Sequence, residues 1–422
     1  MSDRDLAAVV TSGEELIVVE AEPPRVDLTP RQWARANLFP NALNGVLTVL
    51  FGLFLAWVAY RTLRFVFVTA DWEIVRRNLR LFMVGRYPAG ELWRPWAALF
   101  LASAALAFAV GAAAKLARVP ADEEPARRSP LELLRRLWPV ALLVVAILAF
   151  TRTLGPLLLV ALTAVITVAA FLAGKHSPMW LARRWWLVVP VLFVAAVMIP
   201  SSGEIGWEDW GGLHLAVFVT IVGIGAAFPL GVLVALARKS SLPALRWVAT
   251  VYVELFRGVP LVTLLIMSRF VLLFMFPTSI DPPGLLMRAV IVIVLFEAAY
   301  IAEVVRGGLQ AVPSGQVEAA HALGLSPLHT TRRVVLPQAL RAVIPAMVGQ
   351  FISLFKDTSL LSILGFFELI DVAGVVTEQA DFRARGLDTI TFAFVGFVYW
   401  VGCYTMSRES QRLERRLGVG VR

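Results

Sequence analysis

Apolar runs long enough to cross the hydrocarbon core of a bilayer, about 20 residues each, recur between residues 42 and 406 of this chain. A backbone carried into lipid must satisfy its own N–H and C=O groups, and runs of this length do so as α-helices. We read spans at 42–60, 95–114, 185–200, 212–237, 259–277, 285–305, 340–364 and 388–406. Residues 138–173 form a further stretch interrupted by Arg152 and Leu154-Gly155-Pro156. It reads as two short helices joined by a tight turn at 152–156, with one long broken helix as the rival, and the first reading brings the spans to ten. The composition agrees: 59% hydrophobic and 16% charged, against about 45–50% and about 25% in soluble domains.

A net charge of +9 would suit nucleic acid, but the basic residues cluster at the ends of apolar runs, where orientation signals belong, so nucleic acid is excluded as a partner. In the C-terminal half, three loops or tails are basic: 238–258 with Arg238, Lys239, Arg246 and Arg257; 306–341 with Arg306, Arg332, Arg333 and Arg341; and 407–422 with Arg408, Arg412, Arg415, Arg416 and Arg422. The alternate loops hold only Arg383 and Arg385. The positive-inside rule therefore puts the loop 306–341 and the C-terminus in the cytoplasm, and ten spans put the N-terminus there too. The first forty residues have no apolar signal-peptide core. Residues 1–41 are expected as a partly disordered cytoplasmic tail, with Thr29-Pro30, Trp33, Leu38 and Phe39 marking a capped interfacial helix. Residues 70–94, with Trp72, Trp93 and five arginines, are expected along the membrane surface.

Several chemistries are missing. The lone Cys403 forms no intrachain disulfide, four scattered histidines make no metal-binding spacing, and no catalytic constellation recurs on facing helices. Without a GxxxxGK[ST] loop the chain does not hydrolyse ATP by itself.

Between two apolar segments lies a polar island, Glu318 to Pro337, EAAHALGLSPLHTTRRVVLP. Small residues at 319, 320, 322 and 324 leave a face over which another backbone can pass closely. Gly324-Leu325-Ser326-Pro327 stops one helix, and Ser326-Pro327 can start the next. A short helical elbow of this kind outside the membrane suits a soluble partner. The pattern resembles the EAA motif of permeases of the ATP-binding-cassette (ABC) importers: Glu318-Ala319-Ala320, then Gly324, then Val334, one residue, and Leu336-Pro337.

Flanking stretches narrow the resemblance to permeases for polar amino acids. These are Glu254-Leu255-Phe256-Arg257-Gly258-Val259-Pro260, Phe296 to Tyr300, Ile301 to Gly308, and Phe355-Lys356-Asp357-Thr358-Ser359-Leu360. The long N-terminal half, with ADWEIVRRNLRLFMVGRYP at 70–88, resembles the larger permease subunits of general L-amino-acid importers.

The resemblance implies an all-α polytopic membrane protein, with a five-span type I importer core preceded by an extension of about five further spans. The domains are then a tail 1–41, an extension 42–200, a permease core 212–409, a coupling loop 307–339 and a basic tail 410–422. It implies an inner-membrane, multi-pass subunit that translocates L-amino acids and is not an enzyme. Its partners would be two cytoplasmic ATPases that bind the ATP and magnesium, a second permease, a periplasmic amino-acid-binding protein and the bilayer. Glu318, Ala319, Ala320, Gly324, Val334, Leu336 and Pro337 would couple it to the ATPase. The rival classes are an ion-gradient-driven secondary transporter, which would more often show two repeated halves, and a membrane enzyme.

Ionisable residues at membrane depth need partners or a water-lined path. Arg269 counts about 15 Å into its span, near the midplane, where a guanidinium could hold a substrate carboxylate; the rival is a structural pair with Glu297. Glu297 is a candidate for the path or for helix packing, and Glu303 a further acid within a span. Arg257, Gly258, Pro260, Lys356 and Asp357 are assigned structural or gating roles. Gly223, Gly225, Pro229 and Gly231 would let core helices approach and flex.

Overall fold

The computed structural model describes residues 29–116, 138, 142–146, 155–199, 209–275, 281–383 and 385–417. They are almost entirely helical, and among them six helices are long and apolar enough to cross a membrane, or seven if one bent pair counts as a span. The chain divides into two compact units, residues 1–70 and 71–422.

The first unit holds α1 (Pro30–Asn37) and α2 (Ala42–Arg64). Thr29 closes the capping box expected of it: Gln32 N–H donates to the threonine hydroxyl, and the glutamine oxygen accepts from Thr29 N–H at 3.0 Å. Asn41 caps α2 by accepting from Asn44 N–H at 2.8 Å. The apolar surface of α2 is bare within its unit, as lipid-facing surface would be.

In the second unit the extension comprises α3 (Glu73–Val84), α4 (Trp93–Leu116), α5 (Gly155–His176), α6 (Met179–Arg183) and α7 (Trp185–Met198). Helices α4 and α5 cross where both lack side chains. A Cβ on Gly111 would lie 2.2 Å from the Phe171 carbonyl oxygen, and one on Gly174 would lie 2.4 Å from that of Phe108. The Lys115 ammonium donates to the Ser177 carbonyl and ties the C-terminal ends of the two helices together. Of the two short helices read in 138–173, the second is a full 22-residue helix. Residues 152–154 of the turn, and the first helix apart from residues 138 and 142–146, lie outside the described residues, as do the tail 1–28 and the basic linker 117–137, while 155 and 156 already belong to α5.

The core comprises α8 (Gly212–Arg238), α9 (Pro243–Gly258), α10 (Leu261–Phe270), α11 (Leu285–Ala311), α12 (Ser314–Ala322), α13 (Pro327–Thr330), α14 (Leu336–Asp357), α15 (Leu369–Thr377) and α16 (Asp388–Leu417). Helices α8 and α11 run parallel through a seam of small residues: Ala227, Ala235, Ala298, Ala299 and Ala302 are buried. A Cβ on Gly231 would meet Ile301 Cγ2 at 2.6 Å.

Four expectations need correcting. Residues 238–258 were expected as a loop but contain α9, whose Ala249 and Val253 are buried four residues apart while its charges face outward. The expected span at 259–277 is α-helical from Leu261 to Phe270 and tightens to a 3-10 turn at Leu272–Met275, and it is bent by 101° from α9. Pro260 causes the break, because it drives Val259 into extended backbone (φ −111°, ψ 134°). The loop 366–387 contains α15, which is buried at Leu369, Val372, Ala373 and Val376. Finally, core helices rather than lipid cover the apolar face of α3: Ile74, Val75 and Phe82 are fully buried against α8, α15 and α16.

Helix α3 sits at the end of the core where α8 begins. Phe82 packs edge-on to Phe394 at 5.1 Å, Gln379 Nε2 donates to Asn78 Oδ1 at 2.8 Å, and Arg77 pairs with Asp381 at 3.2 Å. Gly85 presses against Gly211, and Gly212 N–H donates to the Phe367 carbonyl at 2.6 Å. The elbow lies at the opposite end, past the last turn of α11.

Candidate functional site

The elbow is built by local chemistry. Helix α12 ends in a Schellman motif: Leu325 N–H reaches back to the Ala320 carbonyl at 3.1 Å, and Gly324 N–H to that of His321 at 2.9 Å. That closure needs a left-handed residue, and Gly324 supplies it at φ +76°. Ser326 and Pro327 then start α13, whose chain runs through one wide turn, Thr331–Val335, into α14. Pro337, second in α14, has no N–H to return to the Arg333 carbonyl, and the wide turn falls just before it.

The two-helix elbow is therefore present, with its second arm continuous with the next span. Glu318, Ala319, Gly324 and Pro337 are exposed, Val334 and Leu336 are half-buried, and Ala320 is buried. Among the described residues, and its two chain neighbours aside, nothing comes within 4 Å of where a Gly324 Cβ would be. Leu323 and Leu328 flank this bare surface at 82% and 74% exposure. Neither leucine was picked out in the sequence, since a lone apolar residue in a polar loop carries no signal by itself.

Above the elbow an ion-pair cluster joins three helices. Glu303 on α11 accepts from Arg238 on α8 at 2.7 Å and from Arg306, and it lies 3.6 Å from Arg257 on α9. Arg238 also reaches Glu254 at 3.2 Å. Arg257 thus has a structural partner, Gly258 ends α9, and Pro260 precedes α10 as its cap residue. Arg238 was read from the sequence only as an orientation charge.

At the other end Arg269 is not paired with Glu297. Its Nη1 donates to the Leu364 carbonyl at 2.8 Å. The carbonyls of Ser268 and Arg269 accept from Arg288, which lies in the first turn of α11. Glu297 is buried at 3% exposure on α11. Asp357 is half-buried at the end of α14, and its neighbour Lys356 is exposed. Sequence reasoning also missed Glu368, which is wholly buried, accepts from Tyr399 Oη, and caps α15 through Ile370 N–H at 2.9 Å.

Over 433 aligned residues, 92% of this chain and 93% of the other, the sequence is 33% identical to the Glutamate/glutamine/aspartate/asparagine transport system permease protein BztC of Rhodobacter capsulatus. The chain belongs to the amino-acid ABC importer permeases. Residues 227–419 match the family described as Binding-protein-dependent transport system inner membrane component. The chain is also 44% identical over 238 residues to the Inner membrane amino-acid ABC transporter permease protein YhdY of Escherichia coli, spanning 56% of this chain and 62% of that relative. A chain of the solved structure described as Crystal structure of an amino acid ABC transporter with histidines is 30% identical, with a TM-score of 0.42 over 49% of this chain and 92% of its own length. Members of this permease family are transporter subunits rather than enzymes, and the BztC match runs through the extension as well as the core.

Proposed function

We propose that this permease carries L-amino acids across the inner membrane, driven by a separate ATPase that grips the elbow at Glu318–Pro337. The observation that carries the reading is the bare, left-handed Gly324 between two exposed leucines, at the end of the bundle opposite α3. Such a surface lets a soluble groove close on backbone, with Leu323 and Leu328 as apolar anchors. Glu318 offers a carboxylate to a cation of the ATPase, Ala319 and Ala320 keep the approach close, and Val334, Leu336 and Pro337 transmit motion into α14. ATP and magnesium belong to the partner; this chain needs no cofactor of its own.

On this reading the elbow and both termini are cytoplasmic, and α3, α15 and the 378–387 loop face a periplasmic binding protein. A second permease, a sister chain or another copy, completes the path. The loop charges support this orientation. Arg269 and Glu297 remain our candidates for the path, Arg269 toward its outer end. Arg257, Gly258, Pro260, Lys356 and Asp357 serve structure or gating. We also keep the division into tail (1–41), extension (42–200), core (212–409), coupling loop (307–339) and basic tail (410–422). A tagged chain purified in mild detergent should bring down a nucleotide-hydrolysing subunit, and Leu323→Glu with Leu328→Glu should lose it while still reaching the membrane. Retention of the subunit by that double variant would refute the docking assignment.

A further inference from the structure

The α-helix gives way after Phe270 to a 3-10 turn inside the bundle. Helix α10 has ten residues, about 15 Å of rise; Val271 N–H still bonds the Met267 carbonyl, but the chain then tightens into a 3-10 turn at Leu272–Met275, and the carbonyls of Ser268 and Arg269 are met by a side chain instead. Arg288, only 8% exposed, meets that end. Its Nη1 donates to the carbonyls of Ser268 and Arg269, each at 3.1 Å. A cation there also suits the negative end of the helix dipole. Among the described residues Arg288 has no carboxylate partner, and its Nε is buried without any partner. The guanidinium is committed to the helix end.

The gripped peptide is that of Arg269, whose side chain bonds the Leu364 carbonyl. Leu364 ends the tight turn Thr358–Leu364, and Gly365 follows at φ +86°, where a Cβ would stand 3.9 Å from Arg269 Nη1. Beyond it, buried Phe366 and Phe367 lead to the bond with Gly212 N–H and to α15. Two guanidiniums in series therefore connect α11 to α10, and α10 to the segment covering the outer end of the bundle.

We infer that Arg288 is a positioning residue for the outer closure of the path: it holds the end of α10 so that Arg269 can close on the Leu364 carbonyl. Opening breaks the Arg269–Leu364 bond and leaves the grip of Arg288 intact. The word closure rests on the importer reading; the relay itself does not.

The test places a thiol reporter at Leu364, 3% exposed, as Leu364→Cys in a Cys403→Ser background. The full chain is labelled with a membrane-impermeant maleimide in right-side-out and inside-out vesicles. Arg269→Gln should raise labelling from the outside about tenfold, the worth of one charge-assisted hydrogen bond. Arg288→Gln should do the same, and the double variant no more than either alone. Arg288→Lys keeps a cation at the helix end and should return the rate to within about threefold of the parent. The inference is overturned if Arg288→Gln labels at the parent rate, if the double variant reaches the product of the single effects, or if Arg288→Lys labels as fast as Arg269→Gln. Should Arg288→Gln not reach the membrane, Arg288→Met, which also lacks the cation, and Arg269→Gln form the cycle, and additivity there overturns it. Labelling confined to inside-out vesicles would refute the orientation in the importer reading, and the same cycle then tests the relay from that face.

Discussion

Gly324 separates two reasons for a bare residue at the elbow. Its φ of +76° is left-handed, and the space around its missing Cβ is open. Beyond its chain neighbours, Gly324→Ala meets no atom among the described residues, so its cost is conformational, roughly 1–2 kcal/mol for an L-residue in that region. That weakens any contact requiring the formed turn by about tenfold. Asparagine tolerates the left-handed region far better than alanine, so Gly324→Asn keeps the turn while adding a larger side chain. If a partner closes directly on the backbone, the order of coupled uptake should be Gly, then Ala, then Asn, with Asp lowest. If only the turn matters, Asn should exceed Ala. The assay is ATP-driven uptake together with substrate-stimulated ATPase activity in the reconstituted complex. Gly324→Asn at full activity with Gly324→Ala impaired would refute the bare-surface argument. Normal activity of Gly324→Asp would remove the elbow from the coupling path.

Glu303→Gln should loosen the meeting of α8, α9 and α11 by about 1–2 kcal/mol, less than a fully buried pair because the carboxylate side chain is 24% exposed; a lowered unfolding midpoint in detergent would register it. Gly231→Ala drives a Cβ to 2.6 Å from Ile301 Cγ2 and 2.9 Å from the Ala298 carbonyl, and should cost about 1–3 kcal/mol. Gly307→Ala, with no atom within 4 Å, should instead gain roughly 0.5–1 kcal/mol; the same midpoint measures both. Arg76 and Arg77 hold the Glu73 carboxyl at about 2, down from an ordinary 4.5. A depressed value means the pairing contributes above the ordinary value and is lost as pH falls toward 2. Amide exchange across α3 in Glu73→Gln and the parent should therefore differ at pH 6 and converge as pH nears 2.

Much of the fold is written in local pattern. The spans are set by apolar length, the Thr29 cap by its Gln32 partner, and the elbow by glycine and proline. What was not legible depends on neighbours far along the chain. The charges of α9 masked its buried face until Arg238 supplied a partner for Glu254 and Glu303 one for Arg257. The nine residues of α15 are too few for a span, and only packing on α16 and α3 identifies them as core. Asn78 and Gln379 are 301 residues apart, with no local sign that they meet. Arg288 looks like a charge snorkelling at a span end, and its role became visible only when the Pro260 bend brought the end of α10 beside it. Counting residues along an assumed straight helix gave no sign that Arg269 would meet the Leu364 carbonyl, 95 residues further on.

The central claim is that this permease moves amino acids only when a separate ATPase acts on its elbow. Amino-acid uptake into liposomes, with the ATPase and binding protein supplied or withheld, tests it most directly. The account predicts uptake that needs ATP on the elbow side and disappears when the ATPase is left out. Uptake by this chain alone, driven by a proton or sodium gradient, would contradict it.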